Sequence, residues 1–252
     1  MRLPNNYQKL ILVICLLINV VSIPSAFTQS IEQRLEAVEE YLATNKYDTA
    51  INELKSLTAL INQEEQPKLW TTVQTKLGVS YQTTDNYAQA EQVLQDAVTF
   101  SAQQSEQDSL TALLWHKLGV NSYYQNDYAD AVDFYEKALQ LRQEFLSADH
   151  IDIIKGQRNI GTAWLEAKQF WRARPAFETS LQLHLNRSGL DSSLIANTYR
   201  DLGYTLTQLN DLAPAKKYLF SALEFYTELY LETAPWEMSA IYQDLTNLFL
   251  AQ

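Results

Sequence analysis

The sequence predicts an all-α fold, a solenoid of five helix pairs plus a terminal helix, and three observations predict it. Glycine is scarce, with 6 in 252 residues, where an average usage of about 7% would give roughly 17. Four of the six stand in register, Gly78, Gly119, Gly161 and Gly203, at spacings of 41, 42 and 42 residues. Each is followed at fixed offsets by the same kinds of residue. Twelve on is alanine (Ala90, Ala131, Ala173, Ala215), sixteen on is a bulky apolar residue (Leu94, Tyr135, Phe177, Leu219), and nineteen on is a small one (Ala97, Ala138, Ser180, Ala222). A repeat of this length holds one supersecondary unit, which buries its apolar face only by stacking on its neighbours.

Composition removes other classes. Hydrophobic residues are 46% and charged residues 19% of the chain, enough apolar content for a packed core. So few glycines exclude a turn-rich β-sandwich, a Gly-rich phosphate-loop fold and a collagen-like chain. The single cysteine excludes an internal disulfide and a Cys-based zinc site. Three histidines, none paired at helical spacing, exclude a His-rich metal site.

At the N-terminus, Arg2 and Lys9 precede a 14-residue apolar run, Leu10 to Ile23, followed by small residues. This is the three-part pattern of a secretory signal peptide, and the run is shorter than the ~20 residues a spanning helix needs. Residues 1–28 are therefore expected to be a signal peptide, or in the alternative an N-terminal anchor, and residues 29–252 the solenoid. Cleavage would remove Cys15 and take the net charge from −11 to −13 (17 basic against 30 acidic residues).

First helices are expected near 31–44, 68–84, 108–125, 150–167, 192–209 and 236–251, and second helices near 47–63, 87–104, 128–146, 170–187 and 212–231. Val38 takes the glycine place in the first copy and Thr246 in the last. A helix-interior glycine costs roughly 0.5–1 kcal/mol against alanine, so four in register imply an approach too close for a side chain. The turn falls seven residues after the glycine place, at Asn45, Asp85, Asn126, Lys168 and Asn210. Asn and Asp tolerate the left-handed conformation. Asp127 and Asp211 are expected to cap the helices that follow. Pro67 and Pro235 are assigned to connectors and Pro214 to a first helical turn. Pro175 implies a distorted start to its helix, or a start later than residue 170.

These columns resemble the tetratricopeptide repeat (TPR), most clearly in WHKLGVNSYYQNDYADAVDFYEKAL, Trp115 to Leu139. The usual period is 34 residues. The longer period here, and the segment SADHIDIIKGQRNIG from Ser147 to Gly161, are similar to the kinesin-light-chain type, with a departure at Ile151 where that family favours proline. The resemblance implies a right-handed superhelix and a concave groove lined by first helices.

No catalytic set, cofactor site or metal site is found. His116, His150 and His184 lie 34 residues apart in different repeats, so the chain is read as a non-enzyme. An acidic chain without a basic run is a poor nucleic-acid binder. A membrane is involved only through an uncleaved N-terminal segment. At 100° per residue, offsets −3, +1, +4 and +5 from the glycine share one helix face. On it fall His116, Arg158 and Arg200 at −3, Tyr204 at +1 and Tyr123 at +4, with Lys155 close by at −6. These six are the candidate ligand-binding residues, for a peptide or protein partner with acidic groups. The competing reading is solvated arginines and tyrosines packed between helices. The carboxylate-clamp pattern of the TPR family, Lys at −3 with Asn at +1, is absent.

The function expected is a non-catalytic protein-interaction scaffold, secreted or located in the periplasm or cell envelope. The alternative is the sensor part of a longer peptidase or signalling protein, since the repeats also resemble those preceding caspase-like CHAT domains. The final helix is expected to expose Leu245, Leu248, Phe249 and Leu250, a route to self-association.

Overall fold

A computed structural model of the chain describes residues 30–104, 109–187, 189, 191–230 and 235–251. The signal segment expected over 1–28 lies outside them. All regular structure among the described residues is α-helical. The chain divides into two compact units, one up to Leu60 and one from Ile61 onward.

The first unit is the pair α1 (Ile31–Ala43) and α2 (Tyr47–Leu60). Ser30 caps α1 in a capping box: its Oγ accepts from the Gln33 amide at 3.3 Å, and Gln33 Oε1 accepts from the Ser30 amide at 3.1 Å. Val38, Ala50, Leu54 and Leu57 are fully buried. Arg34 crosses from α1 to bond Glu53 at 2.5 Å and Ser56 at 2.9 Å on α2.

The second unit holds α3 (Pro67–Thr83), α4 (Tyr87–Ala102), α5 (Ser109–Tyr124), α6 (Tyr128–Phe145), α7 (Ile151–Glu166), α8 (Phe170–Leu185), α9 (Ser192–Gln208), α10 (Leu212–Tyr230) and α11 (Pro235–Leu250). Each first helix packs on the second helix of its own repeat, and each second helix on the first helix of the next. The pairing rests on the glycine column. A Cβ built on Gly78 would lie 2.5 Å from Leu94, on Gly119 2.5 Å from Tyr135, on Gly161 2.7 Å from Phe177 and on Gly203 2.6 Å from Leu219. The bulky residue sixteen positions on thus fills the space that each glycine leaves, as the spacing predicts. In α11 the corresponding Thr246 is exposed, its hydroxyl donating to the Tyr242 carbonyl.

The five expected turn residues adopt the left-handed conformation, with φ of 57° at Asn45, 57° at Asp85, 67° at Asn126, 57° at Lys168 and 60° at Asn210. Three turns are braced by the tyrosine two residues on. Tyr47 donates to Asn45, Tyr87 to Asp85 and Tyr128 to Asn126, at 2.7–2.8 Å. These rings are half-buried, so they are turn locks as much as core.

Several local expectations need correction. Pro67 opens α3 and Pro235 opens α11, where a missing N–H costs nothing. Helix α8 begins at Phe170 with Pro175 inside it. Pro175 and Trp171 are exposed, so water can reach the Trp171 carbonyl that loses its intrahelical donor. Asp127 occupies the N-cap place of α6 but its side chain makes no cap bond, and the Asp211 carboxylate is drawn to Arg174 at 3.2 Å. The side-chain caps of this unit are His150 on α7 and Asp191 on α9. In α11, Leu245 and Leu248 are buried against the preceding helices, and among its described side chains Tyr242, Phe249 and Leu250 are the large exposed apolar ones.

The glycine contacts predict opposite outcomes for two alanine substitutions. Gly161→Ala drives a methyl into the fully buried Phe177 ring and should cost about 1–3 kcal/mol by overpacking. Gly156→Ala meets the end of Leu139 at 3.3 Å, with Arg142 Nη1 and Leu139 Cβ in ordinary contact at 3.9 Å. Relief of the glycine penalty offsets that contact, so its stability should stay within about 0.5 kcal/mol of wild type. Chemical denaturation of both variants checks the pair.

Candidate functional site

The six residues singled out on the first-helix face come together in the second unit, around three adjoining cavities. The first, about 190 Å³, is lined by Val120, Tyr123, Tyr124, Tyr135, Arg158, Asn159 and Thr162. The second, about 210 Å³, is lined by His116, Arg142, Asp152, Lys155, Arg158, Asn159 and Leu194. The third, about 600 Å³, lies along α7, α9 and α11, between Thr162, Glu166, Lys168, Phe170, Arg200, Asp201, Tyr204, Gln208 and Asp244. Arg158 and Asn159 belong to the first two, and Thr162 to the first and third. The first two lie between α5 and α7. The Tyr135 ring, packed on His116 at 5.5 Å, and the Arg142 side chain fill the space between them.

The arginines are not free cations. Arg158 on α7 donates to Asp201 on α9 at 2.5 Å, and Arg200 on α9 donates to Asp244 on α11 at 2.7 Å. The register explains the ladder. Each arginine stands at −3 in its own repeat, and each aspartate at −2 in the next, so one pairing recurs at separations of 43 and 44 residues. Both aspartates are largely buried, at 13% and 7% side-chain exposure. The sequence reading missed them because it considered only the cations of this face. The third cavity accordingly carries both signs, Glu166, Asp201 and Asp244 against Lys168 and Arg200.

Arg142 was missed for another reason. It stands on a second helix, 23 positions after Gly119, outside every column assigned to the groove. The same column holds Ser101, His184 and Tyr226, and all four are buried. Ser101, Arg142 and His184 reach the first helix of the next repeat or its lead-in, and Tyr226 reaches the first helix of its own repeat. Ser101 bonds Thr111 at 2.5 Å, Arg142 donates to the Asp152 carbonyl at 3.3 Å, His184 accepts from the Asp191 amide at 3.1 Å, and Tyr226 bonds Asn197 at 2.5 Å. A column of polar residues where apolar ones are expected was the signal available in the sequence.

Burial, and then the positive charge of Arg142 and Lys117, push His116 down to about 4, so it is neutral at physiological pH, with its Nδ1 buried and without a partner. Burial raises Tyr123 to about 12 and also pushes Tyr135 up. Both phenols are protonated and available as hydrogen-bond donors. Among the described residues no group of His, Cys, Asp and Glu could hold a metal ion, and no helix is long and apolar enough to cross a membrane.

The depressed His116 gives a pH prediction. Between its unfolded value of 6.5 and its folded value of about 4, the unfolded state binds more protons than the folded one. The stability concerned is present above that window and lost as pH falls through it, up to about 3 kcal/mol. His184 shifts in the same direction through burial. Denaturant unfolding at pH 7 and about pH 4.5 should show a smaller acid loss in His116→Gln than in wild type, and equal losses would remove His116 from the account.

Residues 69–144 and 110–186 match the tetratricopeptide repeat family. Comparison with curated proteins gave no match. Among solved structures, BtubC (BKLC) from P. vanneervenii is similar at 19% identity and a TM-score of 0.66, over 85% of this chain and 84% of that one. The nearly identical TPR-like repeats assigned to a kinesin light chain of Podosopora anserina align at 14% identity and a TM-score of 0.67, over 79% and 96%. MamA from Desulfovibrio magneticus RS-1 aligns at 13% identity and a TM-score of 0.60, over 78% and 95%. With its glycine register, its helix pairs and its left-handed turns, the chain carries tetratricopeptide repeats over residues 69–186.

Proposed function

We propose that the chain is a non-catalytic scaffold that holds a segment of a protein partner along the first-helix face of α5, α7, α9 and α11. The observation that carries this reading is the run of three cavities linked by Arg158, Asn159 and Thr162. Solenoids present extended surfaces of this kind to partners. Tyr123, Tyr124 and Tyr204 supply rigid apolar contact with a polar tip. The ladder narrows the expectation of an acidic partner. Arg158 and Arg200 are compensated by Asp201 and Asp244, so the third cavity suits a segment carrying both charges, and unbalanced positive charge is confined to the second. Export through residues 1–28 remains part of the proposal, and N-terminal sequencing of the protein isolated from its source tests it.

Tyr124 is 58% exposed and lies stacked on Tyr87, and Tyr204 lines the third cavity. Neither supports the buried core. A Tyr124→Ala, Tyr204→Ala variant should unfold at nearly the wild-type temperature while a partner captured by the wild-type chain binds it roughly tenfold or more weakly. If the purified partner binds that variant with wild-type affinity, the groove is not where it docks.

A further inference from the structure

The second cavity is surrounded by hydrogen-bond donors that the protein itself leaves unused. Arg142 is 8% exposed, and its hydrogen bond goes to a backbone carbonyl, that of Asp152, at 3.3 Å. Arg158 spends Nη2 on Asp201, while its buried Nε has no partner. Lys155 stands exposed at the rim. Neither Arg142 nor Lys155 has a carboxylate within ion-pair distance among the described residues. The one acid lining the cavity, Asp152, is half-exposed, with Oδ2 3.8 Å from His150 Nδ1, and its charge acts on Arg142 and His116 from beyond ion-pair distance. His116 Nδ1 is buried without a partner. Lys117 adds further positive charge nearby, since it and Arg142 both act on His116. A buried cation is stable when an anion compensates it, and buried donors are normally satisfied. Here Arg142 and Lys155 line one space, and Asp152, beyond ion-pair distance, is the one carboxylate beside them.

We propose that this cavity binds a compact dianionic oxyanion of the phosphate-monoester class, carried by the partner that the groove holds. A buried cation and a second one at the rim, neither in ion-pair distance of a carboxylate, favour a ligand of more than one negative charge. A carboxylate brings one charge and a planar pair of oxygens, which a single guanidinium fork satisfies. A phosphate monoester brings close to two charges and three strong acceptor oxygens. It can meet Arg142 from the floor and Lys155 from the rim together, beside the Arg158 side chain, and about 210 Å³ accommodates it. The inference rests on the groove reading only for the source of the phosphate; the cavity and its donors stand without it.

The test titrates the purified full chain with inorganic phosphate, O-phosphoserine and acetate, at about pH 7.5 and constant ionic strength, by calorimetry and by the His116 ring resonances. Phosphate and phosphoserine should saturate a single site and shift His116, and acetate should not. Arg142→Gln should weaken phosphate roughly tenfold or more, and Lys155→Gln several-fold. Because Arg142 is buried, the rim variant carries the test where Arg142→Gln does not fold. Tighter binding of phosphoserine than of inorganic phosphate supports a phosphorylated side chain as the source; the reverse order assigns the site to free phosphate and overturns the partner-borne part. No saturation by phosphate, equal binding of acetate, or wild-type affinity in Lys155→Gln overturns the proposal. A failed groove reading leaves these titrations unchanged, since the probes are small ions and not the partner.

Discussion

The structure of the second unit depends on one contact, the seat of a bulky side chain against a bare backbone. Leu94, Tyr135, Phe177 and Leu219 each lie where a Cβ of the facing glycine would stand. That contact sets how closely the two helices of a repeat approach, and the small residues twelve and nineteen positions on keep the rest of the interface at the same depth. Glycine is the costliest ordinary residue in a helix, so its recurrence measures what the close approach returns in buried apolar area. The filling residue varies in shape, from leucine to phenylalanine and tyrosine, while the glycine does not. The backbone approach is therefore the constraint, and the knob adapts to it.

Between repeats the chemistry changes from apolar to polar. The column 23 positions after the glycine is buried in each repeat of the second unit, yet holds Ser101, Arg142, His184 and Tyr226. Ser101, Arg142 and His184 extend a polar atom to the following repeat, and Tyr226 bonds Asn197 within its own. Burying such groups is costly unless they are bonded, and the bonds exist in one register only, so the column discriminates against slipped stacking more than it adds stability. The Arg158–Asp201 and Arg200–Asp244 pairs act in the same sense between successive first helices. Partly exposed ion pairs contribute little each, but their one-residue offset, arginine at −3 and aspartate at −2, matches one alignment of neighbouring first helices.

The fold was legible because it is written as a period. The glycine column, the filler column and the left-handed turns are local requirements that recur, and even Lys168, the least suited residue at its place, follows the register at φ 57°. The six candidate residues were legible to the extent that helical periodicity places them on one face, and the structure brings them to one run of cavities. What the sequence hid was pairing. Periodicity says which residues share a face, not which charges meet across two helices, so Asp201 and Asp244 went unread. It hid Arg142 because that residue reaches the face from the helix behind. It misplaced Leu245 and Leu248 because a terminal helix still has one neighbour to pack on. Pro175 was misjudged because a proline on a solvated helix face leaves its orphan carbonyl to water.

The charge of the groove follows from range as well as from sign. The chain carries a formal charge of −11, which alone would repel any anion. At physiological ionic strength, however, the field of exposed charges fades over about 8 Å, while charges at the edge of a low-dielectric interior act on each other with little screening. The carboxylates of the outer surfaces are therefore nearly silent inside the cavity, and Arg142, Lys155 and Arg158, with Asp152 and Asp201, decide its potential. The ladder then acts as a filter. By neutralising Arg158 and Arg200 it prevents the whole first-helix face from attracting polyanions indiscriminately. On the reading proposed above, it leaves the least compensated charge between α5 and α7, where the buried Arg142 forms the floor. Specificity in such a groove comes from where charge is left unpaired, and Arg142 is buried because its column joins one repeat to the next. The same side chain that fixes the stacking of two repeats thereby fixes the position of the charge between them.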